Sequence, residues 1–394
     1  MTEPQSHLHP IYAEMPVTIF EHMSGLARDL GAINLGQGFP DGPPPAELLR
    51  ALTHASLEKS HQYPPMAGLP ELRKAVAAFY ARTQGLDLAP ESVVVTSGAT
   101  EAVASAILAV VAPGDEVLLF APAYDAYAPL VRRAGGTPVF VALKPPVWAF
   151  DAATIAAAIT PRTRAIVLND PLNPTGTVAS PADLAMLAGL CVAHDLFAIC
   201  DEVWENVRFD GRAHASLLAQ PGMVQRAVKI GSAGKIFGAT GWKVGWIVGC
   251  REVAAVVGRA HQFLTFTTPP MLQWAVAEAL SDPAIAQGCL AQWSVTRDRL
   301  IAGLKQQGFC VLDNVATWFT CIDLPASGIA LDDRTFSERA VREAGVASIP
   351  ISALWEGDGR PDHIVRLCHC KNAAMLDDAV DRLGRWRTEL RRAS

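Results

Sequence analysis

Four clusters of reactive residue types lie in the middle of the chain, each just after a short apolar run. Ser97-Gly98-Ala99-Thr100-Glu101 follows Val93–Thr96, and Asn169-Asp170-Pro171-Leu172-Asn173-Pro174-Thr175-Gly176 follows Ala165–Leu168. Asp201-Glu202 follows Leu196–Cys200, and Ser232 and Lys235 follow the stretch Ala227–Ile230. A glycine-bearing turn into a helix offers free N–H groups and a helix dipole, which suit an anion such as phosphate. The turn at 169–176 is rigid and presents two amides. A carboxylate at a buried strand end needs a cation or hydrogen-bond donors. Lys235 sits in GSAGKIFGATGWKVGW among residues too small to shield it. A lysine held there is costly unless its amine is used, and the glycines leave room for a ligand or a backbone to come close.

Bringing these clusters together requires a particular scaffold. Strands are predicted at Val93–Thr96, Val117–Phe120, Pro138–Ala142, Ala165–Leu168, Leu196–Cys200, Ala227–Ile230 and Val244–Val248. Helical patterns fall at Thr100–Val111, Tyr124–Ala134, Ala152–Ala158 and Pro181–His194, the last opened by Ser180 as cap with proline next. Apolar strands alternating with helices predict an α/β domain with a mainly parallel, seven-stranded sheet between helices, covering 46–289. In such a sheet ligands bind beyond the carboxyl ends of the strands, where all four clusters fall. The segment 1–45 reads as loop-like and Gly/Pro-rich. Together with 290–394, which carries a helix at Gln292–Gln307, strands at Trp318–Ile322 and His363–Cys368 and a final helix at Met375–Arg391, it is expected to build a small α+β domain from both chain ends.

Composition narrows the function classes. The 394 residues are half hydrophobic and 18% charged, with a formal net charge of −6, which offers no electrostatic footprint for nucleic acid or an anionic membrane. The longest apolar stretch, Ala102–Pro113, is too short to span a bilayer, and MTEPQSHLHP lacks the pattern of a secretory leader. Eight scattered cysteines without a CxxC pair fit a reducing, cytoplasmic setting. In Cys368-His369-Cys370, the one local cluster, alternation on a strand sends Cys and His to opposite faces, so small buried thiols are preferred there over a metal site. No Walker A loop, GxGxxG or Gly-x-Ser-x-Gly elbow is present: the Walker positions around Gly234-Lys235 hold Lys229 and Ile236.

A phosphate turn, a strand-end aspartate, paired asparagines and an uncrowded lysine are the parts needed to hold pyridoxal phosphate. With NPTG, CDEV and SAGKIFGATGWKVGW in that order, the chain resembles the fold-type-I class I/II aminotransferases, and most of all their kynurenine, glutamine and methionine aminotransferase branch. The resemblance runs from INLGQGFPDG to RLCHCK. It implies Lys235 as the Schiff-base lysine and proton carrier, and Asp201 as partner of the pyridine nitrogen. It implies Gly98, Ala99, Thr100, Ser232 and Lys243 around the phosphate, Tyr124 on the ring face, and Asn169 and Asn173 at the ring side. Arg366 would fork the substrate carboxylate with help from Asn173 and the Gly36 N–H. Tyr63 would reach the phosphate of a neighbouring subunit, which implies a homodimer with shared sites. Trp204 departs from the pattern: family members usually carry there a tyrosine that donates to the cofactor 3′-oxygen, and an indole N–H donates without accepting.

The implied activity is a ping-pong transfer from a neutral L-amino acid (methionine, glutamine or aromatic type) to a 2-oxo acid. Cysteine-S-conjugate β-lyase chemistry on the same scaffold is the alternative. A non-catalytic ligand-sensing domain is disfavoured, since no basic helix-turn-helix module precedes residue 30.

Overall fold

A computed structural model of the protein describes residues 7–393. Residues 1–6, on which part of the leader reading and the start of the 1–45 segment fall, lie outside the described residues.

The central layer is a seven-stranded sheet of β2 (Val93–Thr96), β3 (Glu116–Ala121), β4 (Thr137–Ala142), β5 (Thr163–Asn169), β6 (Phe197–Asp201), β7 (Ala227–Ser232) and β8 (Gly245–Val248), in the order β2-β8-β7-β6-β5-β3-β4. Only β8 runs antiparallel to its neighbours. Most of these strands are buried along their whole length because helices cover both faces. Each fully buried Val, Ile or Leu contributes about 1.5–3 kcal/mol. All seven expected strands are in place, and the parallel order puts the ends of β5, β6 and β7 side by side: Asn169 pairs with Asp201, and Asp201 with Ile230.

The second layer system is smaller. A four-stranded antiparallel sheet, ordered β12-β13-β10-β9, is built from β9 (Cys310–Val311), β10 (Phe319–Asp323), β12 (Ile349–Pro350) and β13 (Ile364–Cys368). Close by, β1 (Ile33–Asn34) pairs in parallel with β11 (Val346–Ala347), joining the two ends of the chain.

Several elements differ from the sequence expectations. The opening segment is not all loop: Ile19–Asp29 is a helix capped by Thr18, and it buries Met23 and Ala27 against Val341, Ala347 and Ile349. The helix expected from Gln292 begins at Pro283, because Asp282 caps it and proline suits its first turn. The helix expected from Tyr124 begins at Tyr127. Helices at Ala46–Glu58, Pro70–Gln84, Arg251–Gln262 and Pro270–Ser281 add to those expected. No helix is long and apolar enough to cross a membrane among the described residues.

Candidate active site

Beyond the carboxyl ends of β5, β6 and β7 opens a cleft of about 440 Å³, completed on its far side by Thr18, Phe20, Phe319 and Arg366. It gathers Gly98, Ala99, Thr100, Tyr124, Asn169, Asn173, Asp201, Trp204, Ser232, Lys235, Lys243 and Arg366 from six separated stretches of chain. Tyr63 and Gly36 are not among the residues lining it.

Lys235 stands in the short helix Ala233–Ile236 that follows β7. The question of its small neighbours has a steric answer at Gly234, where a Cβ would lie 2.9 Å from the Thr240 Cα. The backbone after β7 doubles back so tightly that only glycine fits. The Lys235 Nζ sits 4.8 Å from the ring centre of Trp204 and 5.3 Å from that of Trp318. Burial lowers its pKa, and nearby Arg366 adds to that. Negative charge on Cys370, Asp201 and Cys368 would act the other way, and the net result is about 8. Near neutrality the amine is thus close to the balance between ammonium and free base.

Asp201 closes β6. Its Oδ2 accepts from the Tyr127 hydroxyl at 2.5 Å, while its buried Oδ1 has no protein partner. Burial raises its pKa, partly offset by the Tyr127 hydrogen bond and the Val203 N–H. Asn169 donates to the Asp201 carbonyl at 2.9 Å and accepts from the Asn173 N–H at 2.9 Å, so the two strand ends lock each other.

The helix Ala99–Val110 points its N-terminus into the cleft, and no side chain caps it. Gly98 holds φ of 83°, the left-handed region, and a Cβ there would lie 3.1 Å from the Lys243 Cε. Burial raises the Tyr124 hydroxyl pKa and the Asp125 charge adds to that, while Thr100 partly offsets it. The cradle therefore pairs open backbone N–H groups with a lysine head.

Arg366 lies mid-strand in β13 and is almost fully buried. Its Nη1 donates to Asn173 Oδ1 at 3.0 Å and its Nη2 to the Gly36 carbonyl at 2.5 Å, and its guanidinium lies 3.9 Å from the Phe319 ring centre. Nε has no partner, and no carboxylate forms an ion pair with Arg366 among the described residues. Burial lowers its pKa to about 10. The expected help from the Gly36 N–H is corrected here: that N–H donates to Asn34 Oδ1 at 2.9 Å, and the carbonyl of Gly36 faces Arg366 instead. Tyr63 is 81% exposed and packs edge-on against Phe266, ring centres 5.5 Å apart.

Sequence reasoning missed four contributors. Tyr127, three residues after Tyr124 in PAYDAY, orients Asp201; the spacing of the two tyrosines was its signal. Phe20 lies on the N-terminal helix Ile19–Asp29 and Thr18 caps it, in a segment whose Gly/Pro content predicts loop. Lys229 was passed over inside an apolar run. It is fully buried, paired with Glu202 and with Glu205 at 2.5 Å, while His214 and Ser216 also bond Glu202, each at 2.8 Å. This charged network lies directly behind Asp201.

The family description "Aminotransferase class I and II" matches residues 31–383. A probable N-succinyldiaminopimelate aminotransferase DapC of Mycobacterium tuberculosis is 43% identical over 379 residues, covering 93% of this chain and 95% of its own. The methionine aminotransferase of Escherichia coli is 39% identical over 96% of this chain and 97% of its own. Human kynurenine–oxoglutarate transaminase 1 is 35% identical over 93% and 94%. The solved structure of the Mycobacterium tuberculosis N-succinyldiaminopimelate aminotransferase superposes with a TM-score of 0.92 over 96% of this chain and 99% of that one, at 43% identity. A seven-stranded, mostly parallel sheet with a lysine and an aspartate at its strand ends is the frame of a fold-type-I enzyme, and the chain belongs to the class I and II aminotransferases. It is accordingly a pyridoxal-phosphate-dependent aminotransferase.

The residues present fit that cofactor. Asp201 Oδ1 is a buried acceptor without a protein donor, as a protonated ring nitrogen requires. The uncapped helix end, Gly98 and Lys243 suit a phosphate. Three cations (Lys235, Lys243, Arg366) face two acids (Asp125, Asp201) in the cleft, a surplus that suits anionic ligands.

Proposed function

We propose that this aminotransferase moves the amino group of a neutral L-amino acid, of the methionine, glutamine or aromatic type, to a 2-oxo acid by a ping-pong cycle. In this reading it works as a cytoplasmic homodimer with shared sites and takes no nucleic acid or membrane partner. The observation that carries the substrate class is the allocation of positive charge. Lys243 belongs to the phosphate cradle, Lys235 to the reacting amine and Arg366 to the α-carboxylate, so the cleft's own lining leaves no cation for an acidic side chain. Phe20, Tyr124, Trp204 and Phe319 supply apolar and aromatic wall instead.

Pyridoxal phosphate, when bound, supplies the electron sink for the pair left behind when the α-carbon loses its proton. The chain's own residues do the rest. Arg366 grips the substrate carboxylate with a planar fork and so sets the angle of the α-carbon bond to be broken. Lys235, with its pKa drawn near 8, takes that proton as free base and returns it as ammonium. Asp201, oriented by Tyr127, would hold a proton on the cofactor's ring nitrogen. Gly98, Ala99 and Thr100, with Ser232 and Lys243, anchor the phosphate. Asn169 and Asn173 keep the strand ends and Arg366 in register, and the indole of Trp204 closes the cleft behind Lys235.

Exposed Tyr63 and Phe266, with Phe263 nearby in sequence, support a subunit contact through which Tyr63 reaches a neighbouring site. Eight free cysteines support a reducing compartment.

The test is single-turnover spectroscopy over a panel of amino donors. Methionine, glutamine and aromatic donors are expected to react faster than aspartate. Faster reaction with aspartate or with N-succinyldiaminopimelate overturns the substrate class. Borohydride reduction that labels a lysine other than Lys235 overturns the site.

A further inference from the structure

The strand that carries Arg366 ends in a feature that transamination does not use. β13 finishes at Cys368, and His369 and Cys370 follow it directly, outside the strand. His369 turns toward Phe209, ring centres 5.6 Å apart, with neither ring nitrogen partnered. The two cysteines fall on the other side with their sulfurs 3.1 Å apart. Both thiols are buried. Cys370 also borders a second cavity, of about 700 Å³, whose wall includes Asp41, Phe237, Cys289, Trp293 and Lys371. Cys370 thus connects the pair to this second cavity, and both sulfurs lie near enough to Lys235 to influence its charge.

We propose that Cys368 and Cys370 are a paired-thiol modification site, reached from the second cavity, at which a peroxide closes an intrachain disulfide and alters the setting of Lys235 and Arg366. With hydrogen peroxide the step balances in two parts. One sulfur of the pair attacks the O–O bond, takes one oxygen as a sulfenic acid and releases one water. The second sulfur displaces the hydroxyl from the first, the S–S bond forms and a second water leaves. Two thiols and one peroxide become one disulfide and two waters, with the sulfurs oxidised and the peroxide oxygens reduced.

Geometry and charge both favour the pair. The sulfurs already touch, so ring closure requires little movement of the strand end. Burial raises the Cys368 thiol pKa, but the hydrogen bond from Cys370 and the charges of Lys371 and Arg366 outweigh it, and the net shift is downward. Cys370 is pushed up by burial and by its hydrogen bond and charge contact with Cys368. Of the two, the Cys368 thiol is therefore the more readily ionised and the better placed to attack first. Oxidation takes both ionisable sulfurs out of the surroundings of Lys235 and ties residue 370 to a strand whose Arg366 lies two positions before Cys368.

The effect on turnover rests on the aminotransferase reading, whereas disulfide formation does not. Holoenzyme is treated with hydrogen peroxide, blocked with iodoacetamide and digested with trypsin, which releases Leu367–Lys371 with both cysteines. That peptide is expected to be two hydrogens lighter and unalkylated. Transamination is expected to fall several-fold and to return with dithiothreitol. Cys368→Ser and Cys370→Ser should abolish both changes, while Cys289→Ser keeps them. An alkylated peptide after treatment, a Cys289–Cys370 bridge, or a sulfinic acid on one cysteine overturns the site. A closed disulfide with undiminished turnover overturns the coupling to Lys235 and Arg366. If the protein transaminates no donor at all, the peptide mass still decides the disulfide.

Discussion

At the scale of single residues, the site works by withholding solvent from groups that want it. Lys235 shows this best: aromatic walls and a neighbouring guanidinium bring its pKa to about 8. A lysine with a lowered pKa is neutral above it and charged below, and only the neutral amine is nucleophilic. In cofactor-free protein, acylation of Lys235 by acetic anhydride should therefore rise through about pH 8, where an ordinary lysine rises near ~10.4. Peptide mass spectrometry across pH reads this directly, and a midpoint at the ordinary lysine value would refute the environment described. Much of this scale was legible in the sequence. Lys235, Asp201 and the asparagine pair stand out because a costly residue type sits at a strand end. The direction of the Gly36 N–H was not legible, because it depends on how the Asn34 side chain folds back on its own turn.

At the scale of elements, strand prediction succeeded because all seven sheet strands are short, apolar and bounded by turn residues. The one misjudged residue in them is instructive. Lys229 has the hydropathy of a surface residue yet stands in the middle of β7, fully buried. Its partners, Glu202 and Glu205, come from just past the end of the neighbouring strand and the turn that follows, so only the pairing of β6 with β7 reveals why it is tolerated. Lys229→Met removes the cation from two buried carboxylates. It should cost about 3–5 kcal/mol, read as a lowered denaturant midpoint. The loss should be smaller at low pH, where protonated carboxyls no longer need the cation. An unchanged midpoint would mean that water or rearranged donors satisfy both carboxylates. The N-terminal helix Ile19–Asp29 was missed for a related reason: Gly and Pro in the following stretch dominate the composition, while its cap, Thr18, is a single residue.

For the whole molecule, the proposed sharing of sites can be tested by complementation. A Lys235→Ala chain cannot react, and a Tyr63→Ala chain should hold the cofactor phosphate more weakly. In a mixed dimer the intact Lys235 site receives Tyr63 from the other chain. Mixing the two variants after mild dissociation should therefore restore tight cofactor binding and turnover to one site per dimer. No recovery beyond the sum of the separate variants would place Tyr63 outside the neighbouring site. The proposed carboxylate clamp has a consequence of another kind. Arg366 donates to the carbonyl of Gly36 across 330 positions of chain, and β1 depends on β11 for its only strand partner among the described residues. On a ribosome, the first residues of this clamp must wait through nearly the whole of translation for their counterparts. The proposed cofactor cradle from 98 to 243 can be complete while the proposed amino-acid grip does not yet exist, so a chain still lacking its C-terminal part would be equipped for the coenzyme before it has any means of holding a substrate.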